Sequence, residues 1–270
     1  MSKDRFGFGK NWKEFLKNLD DDKIEAAMKS LREWLNVKDL EGKTFLDIGS
    51  GSGLFSLAAR KLGAKVFSFD YDPDSVACTR VLRKRYFPGD KNWKIERGDA
   101  LDEKYMSKFD KQDVVYSWGV LHHTGDMYRG LENASKLVKD GGKLYIAIYN
   151  DQGKWTKCWT AVKRLYNLTP DALKGLVLFP CFLRLWGPTT IKDFVRFKPF
   201  NRWKTYKKER GMSPWHDVVD WVGGWPFEVA TPEEIFYFFK KRGFRLEKLY
   251  TCGGGHGCNQ FMFVKKRVRK

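Results

Sequence analysis

The 270-residue sequence contains no uninterrupted apolar run near the ~20 residues that a membrane-spanning helix requires. Its first residues, MSKDRFGFGKNW, lack the apolar centre of a signal peptide. These two absences predict a cytoplasmic protein without a transmembrane segment. Cysteine is scarce: Cys78, Cys158, Cys181, Cys252 and Cys258 are an odd set at irregular spacing, which excludes a fully paired disulfide framework and fits a reducing compartment. Histidine is scarcer still, with four in the chain, and no internal repeat or long low-complexity stretch is visible. Acidic residues are in deficit, 33 against 51 Lys+Arg, for a formal net charge of +18. That excess points to nucleic acid, an anionic lipid surface or a phosphorylated substrate without choosing among them. Hydrophobic residues make up 42% of the chain and aromatics 16%, enough to close a core and to exclude a disordered polymer.

Ile24, Ala27, Met28, Leu31, Trp34 and Leu35 recur at helical spacing, so an amphipathic helix opens the fold. Short apolar runs at 44–48, 65–69, 113–117 and 143–148 read as buried strands, with a further strand at 93–96. Helical patterns at 54–62, 74–86 and 127–138 alternate with them. Such alternation predicts a mostly parallel sheet with helices on both faces. The pattern breaks after Tyr149. Residues 151–227 hold 14 Lys+Arg, six Asp+Glu and seven of the 11 tryptophans without a sustained period, and read as an insertion. At Thr231-Pro232-Glu233-Glu234 an N-cap, a proline at the first helical position and a Glu three residues after the cap start another helix. Strands at 244–250 and 260–265 then close the sheet as an antiparallel pair, and KKRVRK ends the chain as a frayed basic tail. The expected organisation is an N-terminal helical cap (1–40), a nucleotide-binding core (41–150), an inserted lid (151–227) and a C-terminal helix and hairpin (228–270).

The segment Phe45-Leu46-Asp47-Ile48-Gly49-Ser50-Gly51-Ser52-Gly53 is a strand running into a glycine loop that opens a helix. Gly49 and Gly51 permit a tight turn and close approach of a ligand to the backbone. Asp70, at the end of the next strand, is placed to accept hydrogen bonds from ribose hydroxyls. A nicotinamide dinucleotide would suit these features. Against it, the third glycine comes one residue early for G-x-G-x-x-G, and Asp47 would repel a pyrophosphate. A carboxylate at Asp47 suits a cationic group such as an amino-acid ammonium.

Leu46-Asp47-Ile48-Gly49-Ser50-Gly51-Ser52-Gly53, Phe69-Asp70-Tyr71-Asp72, Gly98-Asp99-Ala100, Trp118-Gly119-Val120-Leu121-His122-His123 and Leu137-Val138-Lys139-Asp140-Gly141-Gly142 follow one another in order. This series resembles that of class I S-adenosylmethionine-dependent methyltransferases, and within them the ubiquinone-biosynthesis O-methyltransferase type. The resemblance covers about residues 40–150 and the final hairpin. It implies a Rossmann-like seven-stranded sheet and S-adenosylmethionine as cofactor. It also implies that Asp47, Gly49 and Gly51 meet the methionine part, with Ser50 between them a further cofactor contact, Asp70 the ribose, Tyr71 and Asp72 the adenosine surroundings, and Asp99 with Ala100 the adenine. Ser117 and Trp118 would approach the sulfonium side.

A hydroxyl acceptor must also lose a proton. The resemblance maps the family's strand-end histidine onto His123, the favoured base, although His122 stands where relatives often carry an acid. His216-Asp217, on a loop between tryptophans, is the rival. Cys252, His256 and Cys258 sit on one glycine-rich loop without an evident fourth ligand, so no metal site is expected. An insertion after the fifth strand emerges where open α/β sheets bind ligands. Residues 151–227 are therefore expected to cover the acceptor, with 172–186 too short to span a bilayer but able to lie against one. The expected activity is O-methylation of a small or lipid-linked hydroxyl compound: a sugar, glycan precursor or quinol-like ring. The alternatives are a nucleic-acid methyltransferase using the basic surface, which lacks a target-base motif such as Asn-Pro-Pro-Tyr, and a non-catalytic binding module on the same fold.

Overall fold

Strands that alternate Phe45 with Leu46, and Tyr145 with Ile146, put an apolar side chain on each face in turn, so both faces must be covered. The computed structural model describes residues 6–210, 214–253 and 255–267. They form one seven-stranded sheet: β1 (Thr44–Ile48), β2 (Lys65–Asp70), β3 (Trp93–Arg97), β4 (Gln112–Trp118), β5 (Val138–Tyr149), β6 (Phe244–Tyr250) and β7 (Cys258–Lys265), in the order β3-β2-β1-β4-β5-β7-β6. The first five are parallel; β7 is antiparallel to β5 and to β6. The expected sheet and closing hairpin are thus present.

Helices α1 (Gly9–Lys17), α2 (Asp21–Leu35), α3 (Leu54–Lys61) and α4 (Pro73–Tyr86) lie on one face of the sheet, where Leu31, Leu57 and Val76 pack with Phe45, Val66 and Tyr116. Beyond the short α5 (Glu103–Met106), the other face is covered by α6 (Met127–Lys136) and α11 (Pro232–Lys240), whose Leu131 and Phe239 pack with Leu46, Val115 and Phe261. Two expectations shift. Helix α6 stops at Lys136, and Val138, expected to end it, starts β5 opposite Gln112. Of the basic tail, Lys265 closes β7, while residues 268–270 lie outside the described residues.

The segment after β5 is helical: α7 (Lys154–Leu168), α8 (Lys174–Val195), α9 (Asn201–Arg210) and α10 (Pro214–Gly223). It has its own core, in which Trp159, Tyr166, Leu178, Cys181, Trp186, Val218 and Val222 are buried and against which Phe6 packs from the N-terminus. Its Leu185, Trp186, Asp217 and Trp221 line the same cavity as the β1–α3 loop and the strand-end residues Asp70 and Trp118, which puts the segment at the carboxyl ends of the strands.

Candidate active site

The loop after β1 needs a left-handed backbone at Gly49, φ 78°, where an added Cβ would strike Val120 at 2.3 Å. At Gly51, φ 53°, it would meet the Trp12 indole at 3.1 Å, so α1 closes directly over the loop. The Gly49 and Ser50 amides both donate to the Phe69 carbonyl, at 2.8 and 3.0 Å. The Ser50 hydroxyl is taken up by Thr79 of α4 at 3.0 Å, which anchors the loop. Asp47 is 2% exposed and accepts from Ser56 Oγ at 2.5 Å. Behind it, Trp93 Nε1 donates to Ser68 Oγ at 2.9 Å, and Ser68 lies 2.6 Å from Ser56. Because the Ser56 proton goes to Asp47, Ser68 must donate to Ser56, and the three donors point in series at one carboxylate. Burial pushes the Asp47 carboxyl up to about 7, against the Ser56 bond and with the Asp70 charge.

Asp70 Oδ2 accepts the Gly51 amide and Oδ1 the Asp72 amide, each at 2.9 Å. Asp70 lines the cavity, and burial raises its carboxyl to about 6 despite those amides. Asp72 caps α4, accepting from Asp74 N at 2.8 Å, and with its other oxygen holds the Gly9 amide of α1 at 2.9 Å. Tyr71, Asp72, Asp99, Ala100 and Trp118 line the same cavity as Asp47, Gly49, Ser50, Gly51 and Asp70. Ser117 does not. It is fully buried and its hydroxyl donates to the Ile48 carbonyl at 3.0 Å, because side chains alternate along β4 and Tyr116 and Trp118, not Ser117, face the ligand side.

The cavity, about 1140 Å³, continues without a break beneath the inserted helices, where Phe8, Tyr149, Trp186, Tyr206, Trp221 and Trp225 wall it. That volume exceeds the ~300–1,000 Å³ typical of single small-ligand sites, and so has room for two ligands side by side. His123 lies on this wall, but its Nδ1 donates to the Pro226 carbonyl at 2.6 Å and its ring packs on Phe8, centroids 5.0 Å apart. Burial, helped by the Lys163 charge, lowers its pKa to about 3. A neutral imidazole with so weak a lone pair ties loops together better than it accepts a proton. His122 is fully buried, with Nδ1 accepting from the Tyr149 amide at 3.2 Å. The backbone of His216 is in α10 and its side chain lies outside the described residues. Asp217 lines the cavity, and so does Asp220 one turn later, held by Asn11 Nδ2 of α1. Burial pushes the Asp220 carboxyl up to about 7 against the Asn11 bond, and the Asp217 charge adds to the rise.

The family described as Methyltransferase domain matches residues 20–176, more than half of the chain. The chain belongs to that family. S-adenosylmethionine is its methyl donor, as the motif series implied. Among curated relatives, a ribosomal protein L11 methyltransferase of Photobacterium profundum is 38% identical over 117 residues, covering 43% of this chain and 36% of that protein. A ubiquinone biosynthesis O-methyltransferase of Salmonella arizonae is 27% identical over 158 residues, covering 56% of this chain and 62% of that one. The chain thus matches from about a third to under two thirds of these relatives' length. The crystal structure of magnesium protoporphyrin IX methyltransferase from Synechocystis PCC 6803, with bound S-adenosylhomocysteine, superposes with a TM-score of 0.53 at 14% identity, covering 91% of this chain and 83% of that one. That likeness is one of fold.

The methyltransferase cradle fits its cofactor chemically. Asp47 and Asp70 are carboxylates raised by burial at the edge of the cavity, an arrangement that a cation and a pair of hydroxyl donors would relieve. Four contributors were not legible in the sequence: Asp220, Trp12, Asn11 and Lys163. Trp12 and Asn11 sit on a nine-residue helix without a side-chain cap, and Lys163 faces inward from α7. Lys163 is fully buried, donates to the Trp221 carbonyl, and has its Nζ 4.4 Å from the Trp221 ring centroid and 4.6 Å from that of Phe227. Burial lowers its pKa to about 7. Folded-state proton binding is therefore weaker than unfolded, and its contribution to stability is lost as pH falls from ~10.4 toward 7. Lys163→Met should accordingly raise the melting temperature of this methyltransferase at pH 7, with the gain vanishing near pH 10, as differential scanning calorimetry across pH would record.

Proposed function

We propose that this methyltransferase transfers a methyl group from S-adenosylmethionine to a hydroxyl oxygen of a small or lipid-linked acceptor, such as a sugar, glycan precursor or quinol-like ring, in the cytoplasm. The observation that carries the reading is the Asp220 carboxylate. It is held by Asn11 and lines, among aromatic residues, the same cavity as Asp70. An acid whose pKa lies near 7 is matched to removing a hydroxyl proton at neutral pH.

In this reading Asp47 faces the methionine ammonium beside Gly49, Ser50 and Gly51, and Asp70 accepts from the ribose hydroxyls. Tyr71 and Asp72 flank the adenosine, Asp99 and Ala100 the adenine, and Trp118 the sulfonium side. When bound, the cofactor supplies an electrophilic methyl on a leaving group that needs no further activation. The protein's work is alignment, exclusion of water and proton removal. Trp12 and α10 close the cavity from two sides, the aromatic walls hold a ring or sugar face, and Asp220 takes the hydroxyl proton while Asp217 lies one helical turn away. His123 acts as a tie between the loop after β4 and Pro226.

Incubation with methyl-tritiated cofactor and a panel of catechol, a polyprenylated phenol, a free hexose, bulk RNA and ribosomal protein tests this. Label is expected in an ether of one of the hydroxyl compounds. Label confined to RNA or protein would replace the hydroxyl reading with one of the other acceptor classes.

A further inference from the structure

Helix α8 carries two apolar faces where a lid helix needs one. Leu178, Cys181 and Trp186 point into the core of the insertion, and Leu185 and Thr189 line the cavity. On the far side Leu176 is 72% exposed, Phe179 59%, Leu183 52%, Ile191 64%, Phe194 53% and Val195 72%. These positions recur at steps of three, four, eight, three and one, so with Pro180 and Gly187 between them they form one stripe along the helix. Phe197, just past the helix, is 94% exposed and continues it. A continuous apolar stripe of this length turned to water marks a surface that something covers.

Charge says what covers it. Residues 154–204 contain eleven Lys+Arg and two Asp+Glu, which is half of the chain's net charge of +18. Lys163 and Asp193 are buried, leaving ten cations outside the core against Asp171, itself paired with Lys174 at 2.7 Å. A second copy of the same face would bring like charges together. RNA would satisfy the cations but leave leucines, isoleucine and phenylalanines against phosphate. An anionic bilayer satisfies both, with the stripe among the acyl chains and the cations among the headgroups. No helix of the described residues is long and apolar enough to cross a membrane, so the contact is peripheral.

We propose that the outer face of α8 seats this methyltransferase on an anionic phospholipid surface, with the helix lying in the interface. The opposite face of the same helix roofs the cavity through Leu185, Trp186 and Thr189. An acceptor carried in the bilayer would then reach the cavity edge without leaving the lipid. The seating itself does not depend on the acceptor being a hydroxyl.

The test is co-sedimentation of the full chain with phosphatidylcholine vesicles that contain or lack phosphatidylglycerol. Binding is expected to the anionic vesicles alone and to weaken in high salt. Leu176→Ser/Phe179→Ser/Leu183→Ser should reduce it about tenfold or more, while leaving the melting shift caused by S-adenosylhomocysteine intact. Lys192→Glu/Arg196→Glu, on exposed positions, gives an independent reduction and is read in place of the triple variant should that variant lose its fold. Failure of the wild-type chain to bind anionic vesicles overturns the proposal. So does binding that both variants retain, and so does a dimer in sedimentation velocity that the triple variant abolishes. Bulk RNA that competes equally with wild type and the triple variant would assign the basic face to nucleic acid instead.

Discussion

Asp70→Asn is expected to weaken S-adenosylhomocysteine binding by about 10²-fold or more, since a hydrogen bond to a charged group contributes roughly 1.5–3 kcal/mol and the ribose offers two. The substitution also disturbs the loop. Asp70 serves the Gly51 and Asp72 amides with separate oxygens, and an Asn can serve one of them while turning its own N–H toward the other. Titration calorimetry reads the affinity, and the wild-type pH dependence supplies a second signature. Burial holds Asp70 at about 6 and Asp47 at about 7, while binding a hydroxyl pair and an ammonium requires both ionised. Affinity should therefore fall as pH drops below 7. The empty protein behaves oppositely. Its two carboxyls bind protons more tightly folded than unfolded, so their contribution to stability is full below ~3.9 and is lost as pH rises through 6 and 7. Acid should thus firm the empty protein and strip the loaded one. Unchanged affinity in Asp70→Asn would show that the end of β2 does not meet the ribose.

That the cofactor half was legible follows from where its information lies. The glycine loop, Asp70 and Asp99 are local features at strand ends, and the strands announce themselves as short apolar runs. The alternation that identifies a strand also says that Ser117 and Trp118 face opposite ways. Grouping them as joint neighbours of the sulfonium went against the period of two, and the structure puts Ser117 in the core. The acceptor half resisted reading for different reasons. Helix α8 is apolar on two faces and contains Pro180 and Pro188, so no single stripe emerges from its pattern. Helix α9 offers only Trp203 and Tyr206 among polar residues, and α1 is short with no acidic first turn or side-chain cap. The sequence offers Asp217 only as the neighbour of His216 on an expected loop and Asp220 not at all, because the Asn11 of α1 that holds Asp220 comes from 209 residues away in sequence. Nothing within either segment records that meeting. The resemblance maps the family's strand-end histidine onto His123, yet burial lowers its pKa and that of His122, and a protein carbonyl engages His123.

The same meeting of α1 and α10 makes the second large effect. Asp220→Asn should lower kcat by about 10²–10⁴-fold, the range for losing a positioned general base, with S-adenosylhomocysteine affinity nearly unchanged. The limb of the pH–rate profile near 7 should disappear with it, since ionised Asp220 is the form that accepts the proton and activity otherwise rises with pH through that value. Two neighbours should move the limb in opposite directions without removing it. The Asn11 hydrogen bond favours the ionised carboxyl, so Asn11→Ala should shift the limb to higher pH. The Asp217 charge disfavours it, so Asp217→Asn should shift the limb lower. A residue that merely braced the lid would change kcat or stability in all three variants but would not produce paired shifts of opposite sign. His123→Ala should cost stability or KM by freeing the Pro226 carbonyl and keep the limb where it was. If His123→Ala erases the limb and Asp220→Asn leaves it intact, the proton goes to the end of β4 after all, and the carboxylates of α10 serve only to hold α1 in place.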